Sequence, residues 1–379
     1  MTSELSSLCS YAKGKVSVDT LSKRNYVSTE NMMPNKGGIV DAGALPSAQY
    51  TQQYIKDDIL VSNIRPYFKK IWMADDDGGC SNDVLVFRAD RGCDSTFLYY
   101  ILANDAFFNY ASATSKGTKM PRGDKTAIMQ YKVPCFNYET QLRIGKLLRS
   151  IDDRIAVNKK INDNLQQQLF SLYENMATAS PCLKEYTLSN LCDFQEGYVN
   201  PPQTHPEYFD GEVKWLRAVD INESFIIETS RTLTKAGFES AKKSALLFEP
   251  NTIAISKSGT IGRLGIIADY MCGNRAVINI APHDTNMLAF IYCFLKSKQR
   301  EFPDMAVGSV QKNLYVSLLE PLSVSIPDNE SLTAFNAVGA SILGMIHNNC
   351  VENTDLANLR DTILPKLMSG EIDVSFVLL

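Results

Sequence analysis

The segment KGTKMPRGDK at 116–125 holds Lys116, Lys119, Arg122 and Lys125 in a stretch broken by glycine and proline. Cations spaced this way sit on a loop, and a cationic loop can hold phosphate oxygens or guanine edges. Further along, GSVQKNLY (308–315) supplies Gln311, Lys312 and Asn313. Glutamine and asparagine side chains can make paired bonds to adenine, while lysine grips phosphate. A second basic stretch, IRPYFKK (64–70), interleaves Arg65, Lys69 and Lys70 with aromatic residues. In SKSGTIGRLGI (256–266) the glycines lack the Gly-Lys-Ser/Thr ending of a phosphate loop and open no helix. That segment reads as a hairpin from which Lys257 and Arg263 project towards a polyanion.

Catalytic sets are harder to find. NPPQ (200–203) is close to the Asn-Pro-Pro-aromatic motif of amino-methyltransferases, where a ring stacks on a flipped base and the asparagine holds its amino group. Gln203 stands where that ring should be, and no glycine-rich cofactor loop lies upstream, so a turn between strands is the expected role. His205, His283 and His347 are far apart, with no acid or cysteine at ligand spacing, so neither a triad nor a metal site is expected. His347 is expected on a solvated flank. Nine cysteines without a Cys-x-x-Cys pair argue for reduced thiols. The reading is a chain with no catalytic residues and no metal of its own.

The 379 residues suffice for two or three domains, and 45% hydrophobic with 21% charged residues describes an ordinary globular protein. No run approaches the ~18 apolar residues of a membrane span. MTSELSSLCSYAKGK lacks the apolar core of a signal peptide, so a cytoplasmic location is expected. A net charge of −4 lacks the whole-chain basic footprint of nucleic-acid binding, although a local basic face can be hidden in such a total.

The chain repeats itself. SSLCSYAKGKV (6–16) matches SNLCDFQEGYV (189–199), YVSTENM (26–32) follows the pattern of WLRAVDI (215–221), and DDILVSNI (57–64) that of NTIAISKS (251–258). The early offset is 183 residues and the late one 191, as expected when loops vary around a kept framework. Each copy runs through short strands and turns, then a short apolar helix (97–111 and 287–302), a polar glycine loop, and a strand ending near proline (QYKVP and LSVSIP). The basic loop at 116–125 and the Gln-Lys-Asn loop thus occupy matched places.

A long helix closes each copy. Ile144, Leu148, Ile151, Ile155, Asn158, Asn162, Leu165, Leu169, Leu172 and Met176 step by alternating fours and threes. Phe335, Gly339, Ile342, Ile346, Asn349, Asn353, Leu356, Arg360, Ile363 and Leu367 repeat those ten positions. This is the spacing of a coiled-coil seam. Asn137 and Asp328 are the expected caps and Gly370 the expected stop. From 139 to 177 the first helix would run roughly 58 Å at about 1.5 Å per residue. Antiparallel pairing would bring Asn158, Asn162, Asn349 and Asn353 together, where Asn–Asn bonds fix one register, and would put the globular parts at opposite ends.

With AISKSGTIGRLGI, GNRAVINIAP, GSVQKNLYVSLLEPLSVSIP and LPKLMSGEIDV, essentially the whole chain resembles the specificity subunit of type I restriction–modification systems. KGTKMPRGDK departs from the Gln-Lys-Asn loop. The resemblance implies an α+β fold with two target-recognition domains (1–138 and 179–328), a central spacer helix (139–178), and a C-terminal spacer helix with tail (329–379), related by a pseudo-two-fold axis. It implies that each domain reads one half of a split site in double-stranded DNA, and that the helices dock two methyltransferase subunits. S-adenosylmethionine would be used by those partners, and ATP and Mg by restriction subunits where present. Competing readings are a coiled-coil adaptor without nucleic acid, a specificity subunit of another restriction class, and a self-sufficient methyltransferase acting through NPPQ.

Overall fold

The computed structural model describes residues 2–179, 184–309 and 311–377. They form two compact units, one of residues 1–154 with 356–379 and one of residues 155–355. The long helices Tyr138–Ala179 and Asn329–Ser369 therefore each contribute to both.

In the first unit the alternating runs become two four-stranded sheets. One is antiparallel, in the order Cys9–Tyr11, Val84–Ala89, Ile59–Ser62, Ile71–Met73. In the other, Tyr50–Tyr54 and Gly78–Cys80 are central, and Tyr26–Val27 adds in parallel to Gly78–Cys80. Thr2–Glu4 pairs with Lys132–Pro134, the strand that leads into the long helix. The second unit repeats these pairings. Ile253–Ser256 lies between Leu264–Ile267 and Val277–Pro282, Trp215 and Leu216 run parallel to Cys272 and Gly273, and Lys184–Thr187 pairs with Ser323–Ile326.

Short strands cannot bury enough area by themselves, and the helices complete each core. In the first unit Ile144, Leu148, Leu364 and Leu367 pack with Phe97, Leu98 and Ile101, and the tail adds Val374. In the second, Leu169, Tyr173, Phe335, Ile342 and Ile346 pack with Phe290 and Ile291. The apolar stripes thus serve as domain core as well as helix seam.

The caps are where the sequence places them. Thr140 N–H donates to Asn137 Oδ1 at 2.8 Å, Ser331 N–H donates to Asp328 Oδ1 at 2.9 Å, and Gly370 at φ +77° ends the second helix. Four expectations change. The helix expected over 287–302 runs only from Leu288 to Lys298, with Phe302–Met305 a separate short helix. The helix expected over 97–111 is two, Ser95–Ala103 and Asp105–Ala113, because Asn104 takes an extended conformation and its side chain caps Ala106 N–H at 2.9 Å. Leu172 is exposed and Tyr173 is buried instead. A straight helix drifts about 20° per heptad against a strict 3.5 repeat, so by its last turns the inward face has moved one residue on. His347 is not a solvated flank either, since it meets the edge of the Phe225 ring at 5.0 Å between centroids.

Candidate nucleic-acid interface

In the first unit two of the basic stretches converge. Residues 64–70 form the tip of a hairpin whose strands are Ile59–Ser62 and Ile71–Met73. The loop 116–122 is closed on itself by reciprocal backbone bonds between Lys116 and Arg122, both 2.9 Å. The two lie side by side, because Arg65 N–H donates to Pro121 O at 2.8 Å and Gly123 N–H to Asn63 O at 3.1 Å.

The second unit builds the same object. Val307 and Asn313 close the loop with reciprocal bonds of 3.0 and 2.9 Å, and Leu314 N–H ties it to Lys257 O at 2.9 Å. Both loops open on a glycine in the left-handed region, Gly117 at φ +97° and Gly308 at φ +139°. A Cβ on Gly308 would lie 2.2 Å from Gln311 O, so the loop can close only around glycine. The matched bonds align Arg122 with Asn313, Pro121 with Lys312 and Met120 with Gln311. The sequence matched the two loops as wholes, but this residue-by-residue pairing was not legible, because KGTKMPRGDK and GSVQKNLY share little besides a glycine.

The candidate cations divide into outward and inward sets. Lys116, Lys119, Arg122, Lys125, Gln311 and Lys312 are exposed, and Asn313 is half-buried with its amide on Gln311 O at 3.1 Å. Lys116 meets Asp124 at 2.5 Å, and Arg122 meets Asp83 at 2.9 Å. The Lys116 ammonium, with the Thr126 and Ala127 amides, holds the Asp124 carboxyl below the usual range. With the cations exposed, these pairs are worth little in water.

Lys257 departs from expectation. It does not project: its side chain is 13% exposed, its ammonium is 2.9 Å from Glu196, and it sits 4.8 Å from the Tyr315 ring centroid. The hairpin turns it inward because the loop covers it. Arg263 is half-buried at the other end of the same tip, where Ser256 N–H donates to its carbonyl at 3.0 Å. In the first unit Lys70 is also turned in, donating to Thr29 O at 2.6 Å, and burial lowers its pKa. Lys69 joins Lys36 on Asp105 at 2.7 and 2.9 Å. Burial pushes Asp105 up, but those two ammonium groups outweigh it and hold its carboxyl below the usual range. Arg65 is half-buried, with Nε lacking a hydrogen-bond partner. Lys36, Asp105 and Glu196 had no sequence signal, since they are near these cations only in space, and Tyr315, at the end of GSVQKNLY, was not singled out for the same reason.

The register asparagines meet as pairs within the second unit. Asn158 is fully buried, and its Nδ2 donates to Asn353 Oδ1 at 3.0 Å and to Glu352 Oε2 at 2.8 Å. Asn349 Nδ2 donates to Asn162 Oδ1 at 2.8 Å. The helices run antiparallel there, as the falling partner numbers require. Glu352 was missed because it flanks the seam.

No cluster of histidine, cysteine and acidic groups suited to a metal occurs among the described residues, and no described helix is long and apolar enough to cross a membrane. In NPPQ, Gln203 Oε1 accepts from Arg231 at 2.9 Å, within the turn after strand Cys192–Glu196.

A family model described as the type I restriction modification DNA specificity domain matches residues 1–167 and again 183–354. The type I restriction enzyme MjaIX specificity subunit of Methanocaldococcus jannaschii is 24% identical over 305 residues, 75% of this chain and 70% of that one. The HindI specificity subunit of Haemophilus influenzae is 27% identical over 176 residues, 45% of this chain and 38% of that one. The crystal structure of a type I restriction–modification S subunit from M. genitalium shares the fold, with a TM-score of 0.57 and 18% identity over 97% of this chain and 96% of that one.

Proposed function

Because the chain belongs to the type I restriction modification DNA specificity family, carrying its domain twice, we propose that it reads a bipartite target in double-stranded DNA. Each unit reads one half-site with its hairpin and closed loop. The observation that carries this is one backbone construction, made twice, displaying different side chains: Met120, Pro121 and Arg122 in the first unit, Gln311, Lys312 and Asn313 in the second. A constant scaffold with exchanged side chains suits two readers of two different sequences. Exposed lysines and arginines hold phosphates and give salt-dependent affinity, while Arg122, Gln311 and Asn313 face base edges.

The chain itself is non-catalytic in this reading. Two methyltransferase subunits dock on it and transfer the methyl group from S-adenosylmethionine. Restriction subunits, where present, use ATP and Mg. Lys257, bonded to Glu196 and covered by Tyr315, positions the loop and does not bind DNA. The decisive experiment maps methylated adenines in cells carrying the gene with its methyltransferase partner. In the Lys312→Ala/Asn313→Ala variant, preference for one half-site falls by about tenfold or more and the other is untouched. If both half-sites relax together, the two-reader assignment is wrong.

A further inference from the structure

At the hairpin tip of the first unit, Tyr67 and Phe68 are 51% and 39% exposed, with ring centroids 4.8 Å apart. Two adjacent aromatics on the surface are expensive to leave wet, yet the backbone beneath them is fixed with unusual thoroughness. The residues that flank the turn Pro66–Phe68, Arg65 at φ +50° and Lys69 at φ +52°, are both in the left-handed region that non-glycine residues avoid. That conformation persists because it is bonded from three directions. Phe68 O and Lys69 O accept from Asn35 and Lys36 N–H, both at 2.8 Å. Arg65 N–H is held by Pro121 O at 2.8 Å, and the Lys69 ammonium is pinned to Asp105 at 2.7 Å. A tip made only to cover core would turn its rings inward. The hairpin of the second unit enters the left-handed region at the matching positions, Gly259 at φ +76° and Gly262 at φ +85°, so the turn is common to both tips; only the first builds it from non-glycine residues and holds two rings out on it.

The tip's surroundings select what it meets. Pro121, which bonds the tip, belongs to the loop that carries exposed Lys116, Lys119 and Arg122, two of them paired with Asp124 and Asp83, so that around the tip the cations, with Arg65, Lys36, Lys69 and Lys70, outnumber the acids Asp83, Asp105 and Asp124 that they meet. The apolar rings thus sit beside cations, the arrangement that fits base surfaces next to phosphates. The matched hairpin of the second unit, closed by the same bond from Ser256 N–H to Arg263 O as from Ser62 N–H to Lys70 O, has Ser258, Gly259 and Thr260 at its tip and no ring of its own; the exposed ring beside it, Tyr315, comes from the closed loop and lies over Lys257.

We propose that Tyr67 and Phe68 form the base-contacting wedge of the first unit, a specificity determinant absent from the hairpin tip of the second, whose ligand is the apolar surface of a base step in one half-site. This rests on the reading of the chain as a two-site DNA reader. The wedge meets either a thymine methyl or the faces of a partly opened step, which share the same apolar chemistry.

The test uses the full chain assembled with its methyltransferase partner. Tyr67→Ala and Phe68→Ala are made singly, so that exposed truncations leave the fold intact, and Tyr67→Phe is the conservative control. Sequence preference is read by methylating a library randomised in both half-sites. The alanine variants are expected to lose preference at one or two positions of one half-site by about fivefold to a hundredfold, with the other half-site unchanged and Tyr67→Phe close to the unsubstituted chain. Within the affected half-site, a 2-aminopurine fluorescence rise that the alanine variants abolish identifies an opened step. Loss of discrimination on uracil-substituted DNA identifies a thymine methyl. Unchanged preference in the variants overturns the wedge, as does failure to assemble with the methyltransferase, which would make the rings a protein contact. If the unsubstituted complex shows no sequence preference at all, the two-site reading itself fails.

Discussion

Asn158 shows how a single side chain acts through its surroundings. Its amide is fully buried, its nitrogen is paired with Asn353 and Glu352, and its Oδ1 has no partner, so its burial costs stability. The cysteines show the same dependence in their titration. Burial pushes the thiols of Cys80, Cys192, Cys272 and Cys293 from 9.0 up to about 12, and that of Cys9 higher still. The folded protein holds these protons when the unfolded chain would release them. Their contribution to stability is therefore complete below pH 9 and falls as pH rises from about 9 through about 12. Melting temperature should drop between pH 8 and pH 10.5, and replacing Cys272 or Cys293 by alanine should shrink that drop. Alkylation at pH 8 should label exposed Cys135 while the buried thiols stay unmodified. A uniform labelling rate would contradict the burial. The sequence suggested reduced thiols; the depth at which most of the described ones are buried was not legible, because it comes from neighbours brought in by the sheets.

At the scale of elements, the helix pair was readable to within a residue at its caps because capping is local: Asn137 and Asp328 bond backbone groups three positions on. The seam was readable through Met176 except at Leu172, where the 3.5-residue spacing gives way to the helix's own 3.6. The asparagine layer supplies a prediction at this scale. Asn158→Leu with Asn353→Leu should raise the melting temperature by a few degrees, because two amides leave an apolar seam. It should also loosen the register, seen as methylation at more than one half-site spacing or as altered assembly. Unchanged spacing with unchanged assembly would reduce the asparagines to tolerated polarity. The hairpin tips were harder. Sequence placed Lys257 outward because glycine hairpins are usually exposed, and only the loop packed over it, with Tyr315 and Glu196, turns it in.

For the whole molecule, the consequence is in the tail. Residues 356–379 belong to the first unit, where Leu364, Leu367 and Val374 are buried and Arg143 holds the carbonyls of Ser375 and Val377 at 2.7 and 2.6 Å. Ending the chain at residue 355 removes three core side chains at about 1.5–3 kcal/mol each, so the first unit should lose roughly 5 kcal/mol or more. Calorimetry should then show the 155–355 unit melting much as before and the first unit melting far lower or not at all; a first unit unaffected by the truncation would contradict this packing. The amino-acid sequence alone determined the duplication, the order of elements, the helix caps and the seam with its asparagines. Each of these depends on residues close in the chain or on a period that neighbours can carry. Tertiary structure decided which half of each helix completes which core, which cations face outward, and that Arg122 and Asn313 occupy one position in two different loops. Those facts depend on backbone bonds between segments such as 63 with 123 and 257 with 314, and pairings across such distances leave no periodic trace in a single sequence.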